Sequence, residues 1–172
     1  MGDLTENAAS TSEKLLTVPP GEPCTLYFDS PGGSSYCAIS LATLIVLRRI
    51  QATGIVTGEC SSAALWPLAA CRRRIVTPFS VLLFHPMRWH SEENVRLGEA
   101  EEWARHFGQL ERDMDQFLAD LFGLSLERLN QWIHPGRYVS GREFAEAGLG
   151  ELVDVVAAAK QRDRATPTKS KR

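Results

Sequence analysis

Ser61 and Ser62 stand side by side in "GECSSAALWPLAA", between a β-rich run and an apolar run, with cysteine and alanine as immediate neighbours. A serine pair where an extended run ends can be a plain helix N-cap, its hydroxyl accepting from orphan N–H groups. A serine on a turn that feeds a helix also meets the positive end of the helix dipole, and small neighbours admit a substrate backbone. Ser62 holds that place in a strand-then-helix reading, although the G-x-S-x-G pattern of a nucleophile elbow is absent. A serine alone is inert and needs a base. His85 closes the next long apolar run, "SVLLFHP". If the two strands run parallel as neighbours, their carboxyl ends share one sheet edge, where α/β active sites form. The turn "DSPGGSS" adds exposed N–H groups that can form half of an oxyanion hole, with the N–H of Ala63 as the other half. A phosphate cradle is excluded, because neither G-x-x-x-x-G-K-[ST] nor G-x-G-x-x-G occurs.

These residues need elements to hold them. "CTLYFD" predicts a strand ended by the Gly-Gly turn, and "YCAISLATLIVLRRIQATG" a helix with Cys37, Leu41, Leu44 and Ile45 to Leu47 along it. Ser34 or Ser35 is its expected N-cap and Gly54 its stop. "IVTGE" predicts the second strand, and "SAALWPLAACRR" a short helix kinked at Pro67. "RIVT" and "SVLLFHP" are further strands. From about Glu93 a long helix is expected, with Trp103, Phe107, Leu110, Met114, Phe117 and Leu121 forming an apolar stripe closed by Gly123. "SLERLNQW" predicts a helix capped by Ser125, "SGRE" a capping box of Ser140 with Glu143, and "LVDVV" a last strand. Strands alternating with helices predict an α/β domain with mainly parallel pairing.

The 172 residues suit one domain with its own core. Residues 1–23 are polar and then proline-rich, and are expected to be a flexible lead-in to a domain over 24–159. The tail from Lys160 to Arg172 holds six basic residues against one acid, and is expected to be disordered. The rest carries 13 basic against 20 acidic side chains, a poor surface for nucleic acid. Cys24, Cys37, Cys60 and Cys71 lack metal-type spacing and suit reduced core positions. No secretory pattern opens the chain and no apolar run is long enough to span a bilayer, so a cytoplasmic location without membrane contact is expected.

The succession "YFDSPGGSS", "GECSSAALWPLAA", "VLLFHP" and "YVSGREFAEAGLGELVD" resembles the ClpP family, the proteolytic subunits of the Clp protease, in the same order and at near-identical spacing. The likeness covers about residues 24–156. It implies a ClpP/crotonase-like α/β fold of repeated strand–helix units, and a serine endopeptidase that needs no cofactor or metal. It selects Ser62 over Ser61 as nucleophile, places the base on His85 and puts the oxyanion donors on the N–H groups of Gly33 and Ala63. It also implies a peptide or unfolded-protein substrate and self-assembly into a homo-oligomeric ring, the long helix contributing to stacking.

This sequence departs from the family in two places. The position of the family's catalytic aspartate falls on Gly136, and losing the third member of a triad costs up to ~10⁴ in turnover. His134, Asn130, Glu92 and Glu93 are the candidates to orient His85 instead. Only 28 residues precede "DSPGG", so the fold is expected to be N-terminally shortened in the part through which the family engages a Clp-type ATPase. Relatives of the same broad fold that use a Ser-Lys pair are a poorer match, since no lysine lies between Lys14 and Lys160. Two alternatives stand beside the peptidase: a non-catalytic ring subunit, motivated by Gly136, and a crotonase-type acyl-CoA enzyme.

Overall fold

The computed structural model describes residues 1–5, 7–90 and 94–165. Its centre is an eleven-residue strand, β2 (Gln51–Ser61), whose inward positions Ala52, Gly54 and Val56 alternate with less buried ones. β1 (Pro23–Ser30) runs parallel to β2 along one side, from Pro23 opposite Gln51 to Ser30 opposite Cys60. The other side of β2 takes two strands in succession. β3 (Arg73–Val76) pairs with Thr53–Ile55, and β4 (Val81–Phe84) pairs with Glu59–Ser61, both parallel. β5 (Arg137–Ser140) adds antiparallel to β4, and β6 (Glu151–Leu152) adds parallel to β3. The expected α/β architecture is therefore present, and β1, β2 and β4 all end toward the same edge.

Helices cover this sheet. α1 (Ala8–Thr17) precedes β1, and α2 (Ser35–Leu47) joins β1 to β2 with Ser34 as its N-cap, the hydroxyl accepting from Cys37 N–H. α2 buries Ala38, Leu41, Ala42 and Ile45, an i, i+3, i+4, i+7 stripe, while Val46 and Leu47 stay exposed. α2 ends at Leu47, not at Gly54. Gly54 lies inside β2, where a Cβ would sit 2.8 Å from Leu68 Cδ1.

A single 3-10 turn (Ser62–Ala64) leads into α3 (Leu65–Ala69), all five of whose residues are buried. Pro67 stands in the first turn of α3, where the helix would leave its N–H unused, so the expected kink does not arise. Burying Leu65, Trp66 and Leu68 contributes about 2 kcal/mol each. The Trp66 indole also donates to Met114 O at 3.0 Å, tying α3 to α4 (Leu97–Phe122).

α4 begins four residues after the expected Glu93, which lies outside the described residues, and ends at Gly123 in the left-handed conformation. Its apolar stripe divides. Met114, Leu118, Ala119 and Phe122 enter the core, whereas Trp103, Phe107 and Leu110 are only half-buried and Leu97 is 77% exposed, because the helix outruns the core beneath it. α5 (Leu126–Ile133) is capped by Ser125, and α6 (Gly141–Glu146) opens on the capping box of Ser140 with Glu143.

The ends of the chain differ from expectation. Where a flexible lead-in was expected, α1 forms and Leu4 and Leu15 are fully buried, two apolar plugs too sparse to give a periodic signal. Of "LVDVV" only Leu152 joins the two-residue strand β6. Asp154 then accepts from the N–H groups of Val156 (2.9 Å) and Ala157 (3.0 Å), starting α7 (Val155–Ala165). α7 carries the chain as helix through Lys160 to Ala165, the first part of the expected disordered tail, and residues 166–172 lie outside the described residues. Among the described residues no helix is long and apolar enough to cross a membrane.

Candidate active site

The parallel pairing of β2 with β4 brings the two candidate segments together. Ser61 stands opposite Leu83, so the next residues in each strand lead directly to Ser62 and to His85 at the same sheet edge. Ser62, Ala63, Gly33, His85, Trp66 and Met87 line one cavity there, of about 190 Å³.

The two serines divide sharply. Ser61 is buried as the last residue of β2, and its hydroxyl donates to Glu59 Oε1 at 2.6 Å. Ser62 follows at φ +54°, a left-handed conformation that costs a non-glycine residue about 1–2 kcal/mol. This sharp turn brings Ser62 to the cavity, and among the described residues its hydroxyl has no hydrogen-bond partner. Ala63 is the second residue of the 3-10 turn, where the helix supplies no acceptor for its N–H.

Gly32 and Gly33, on the turn after β1, complete this half. A Cβ on Gly32 would lie 2.8 Å from Ser61 O, 2.8 Å from Ser62 Cβ and 3.0 Å from Ala63 N, so only glycine fits so close to the Ser62 backbone. Gly33 has φ +137°, and its N–H has no hydrogen-bond partner among the described residues. Residues before α1 brace the turn from behind. Leu4 N–H donates to Gly32 O at 2.8 Å, and the Ser30 hydroxyl donates to Gly2 O at 2.6 Å while accepting from Gly32 N–H at 3.2 Å. Sequence reasoning missed this support, for which the lone apolar Leu4 was the only sign.

The candidate base, His85, lies on the other half. His85 is half-buried just after β4, and its Nδ1 lies 2.6 Å from Pro86 O, its one hydrogen bond among the described residues. The segment leaving it is tied to α4: Met87 N–H donates to Glu111 Oε1 at 3.0 Å, and Trp89 stacks on Phe107 with centroids 3.9 Å apart. Neither Glu111 nor the Pro86 carbonyl gave a sequence signal.

Gly136, the position of the family's aspartate, lies opposite His85 in space. Phe84 pairs with Arg137 across the antiparallel β4–β5 ladder, so the register continues to His85 and Gly136, and a Cβ on Gly136 would lie 3.4 Å from His85 Cβ. The acid position is thus adjacent to the base but carries no side chain. His134 and Asn130 do not replace it: they line a separate cavity with Glu111 and Asp115. Burial, then the charge of Glu111, push the Asp115 carboxyl up to about 6, with His134 acting in the opposite sense. Glu92 and Glu93 lie outside the described residues.

A family model described as Clp protease matches residues 4–160. An ATP-dependent Clp protease proteolytic subunit of Chlorella vulgaris is 28% identical over 134 residues, 76% of this chain and 65% of its own length. The subunit of the same name from Ostreococcus tauri is 31% identical over 134 residues, 74% and 64% of the two chains. That of Bacteroides fragilis is 25% identical over 152 residues, 86% and 72%. The chain spans slightly less than two-thirds of the length of the first two. With the matched segment running from Leu4 through the cavity of Ser62 and His85 to Lys160, the chain belongs to the Clp protease family.

Proposed function

We propose that this chain is a serine endopeptidase acting on peptides or unfolded protein through Ser62 and His85. One observation carries the reading: Ser62, held at positive φ, shares a cavity with His85, Gly33 and Ala63. Ser62 Oγ attacks the scissile carbonyl carbon and its proton passes to the imidazole. The Gly33 and Ala63 N–H groups take the negative charge that develops on the carbonyl oxygen. His85 then gives the proton to the departing amine, and water hydrolyses the acyl-serine by the same steps.

The same reading carries a ring of identical subunits and does not extend to a Clp-type ATPase. The half-exposed apolar residues along the first part of α4 support such an assembly. Four free cysteines, two of them buried, suit the reducing cytoplasm.

The test is labelling by a fluorophosphonate probe, with the adduct located by mass spectrometry. An adduct on Ser62 that is lost in Ser62→Ala and reduced at least ~100-fold in His85→Ala is expected. A folded protein that takes no label would make it a non-catalytic ring subunit, the reading that Gly136 favours.

A further inference from the structure

We infer that the backbone carbonyl of Pro86 takes over the positioning of His85 that the family assigns to an acidic side chain; this rests on the proposed Ser62–His85 chemistry. A carbonyl oxygen only accepts hydrogen bonds, so the 2.6 Å contact from Pro86 O fixes a proton on His85 Nδ1. Nε2 is then the ring's unprotonated nitrogen, the one able to take the serine proton. The free histidine side chain in water favours the opposite tautomer, with the proton on Nε2, so the contact selects the form that catalysis requires.

The surroundings suit that role. The pyrrolidine ring restricts Pro86 φ, and the chain beyond it is pinned by the Met87–Glu111 hydrogen bond and the Trp89–Phe107 stack. Across the ladder, Gly136 offers no side chain to compete for Nδ1. The proton on Nδ1 stays in place throughout: Nε2 receives the Ser62 proton, the imidazolium forms, and Nε2 releases that proton to the leaving amine. A neutral carbonyl orients the ring but supplies no negative charge to the imidazolium. Turnover therefore falls below that of an acid-bearing triad, by up to ~10⁴.

The magic-angle-spinning ¹⁵N spectrum of histidine-labelled full-length protein, with His85 assigned by difference from His85→Gln, reads the tautomer directly at a pH where the ring is neutral. A His85 signal from the Nδ1–H form is expected, and a predominant Nε2–H form overturns the inference. Pro86→Gly, which frees the carbonyl, is expected to lose that preference and to slow Ser62 labelling about tenfold; unchanged tautomer and labelling in a folded variant would also overturn it. Gly136→Asp restores a carboxylate beside the ring and is expected to raise the labelling rate at least tenfold over Gly136→Asn. If Asn and Asp perform alike, the missing charge is not what limits the site and the inference fails. An Nδ1–H tautomer in a protein that takes no label would uphold the positioning by Pro86 while sinking the peptidase reading.

Discussion

The two halves of the site are built by different means. Around Ser62 the positions are set by backbone: a serine at positive φ, a glycine pressed against it, a 3-10 turn and a glycine turn. Around His85 they are set by a side chain resting on one carbonyl, beside an empty acid position. The half around Ser62 has no room for a Cβ on Gly32, which would lie 2.8 Å from Ser61 O and Ser62 Cβ. The half around His85 has no side chain at position 136, and β4 and β5 pair up to Phe84 and Arg137.

That contrast is most exposed by one methyl group placed on each side. Gly32→Ala puts a Cβ 2.8 Å from Ser61 O and Ser62 Cβ, and is expected to cut the Ser62 labelling rate by ~100-fold or more while costing about 3 kcal/mol of stability, read by thermal melting. Gly136→Ala meets only ordinary contacts, its cost being the left-handed φ of +127°, about 1–2 kcal/mol, with labelling changed less than threefold. Equal losses in the two variants would erase the distinction.

Glu111→Ala asks how firmly the base side is anchored. It removes the acceptor of Met87 N–H and is expected to slow labelling about fivefold and to destabilise by about 1 kcal/mol. No change in labelling would mean that the Trp89–Phe107 stack alone holds the segment.

Asp115, in the neighbouring cavity, gives a pH-dependent test. Its pKa is raised from 3.8 to about 6 in the folded protein, so the native state binds the proton more tightly than the unfolded chain. The cost of the charge is full above pH 6 and disappears as pH falls toward 4. Asp115→Asn is therefore expected to stabilise by about 1 kcal/mol at pH 8 and by nothing near pH 4. A gain that is the same at both pH values would remove burial of the charge as its cause. The smallest effect is expected from Ser61→Ala, which breaks the bond to Glu59 for about 1 kcal/mol and leaves labelling within twofold. A loss of label there would put Ser61 into the chemistry.

Much of this was legible in the sequence. The strands and the serine turn followed from apolar runs broken by glycine, serine and proline, signals that local physics writes directly into residue order, while the shared edge was a condition that the β2–β4 pairing meets. Ser140 with Glu143 likewise announced the helix it caps. What stayed hidden depends on three-dimensional approach. Leu4 and Leu15 are two isolated apolar residues in a polar stretch, and nothing in their spacing shows that they plug the core. Gly54 looks like a helix stop and is a close-packing position inside a strand. Asp154 starts a helix in a stretch whose valines suggest a strand. The partner of His85 is a main-chain oxygen, which every residue possesses and no sequence can single out.

Residues 134–136 form an exposed turn that contributes nothing to the core. Every glycine codon is one base change from a codon for an acidic residue, and the altered side chain at 136 would arise beside His85 without asking any buried group to move. An acidic side chain beside His85 is thus one mutational step away at the cost of a positive φ, whereas any side chain on Gly32 would collide with the backbone of Ser61.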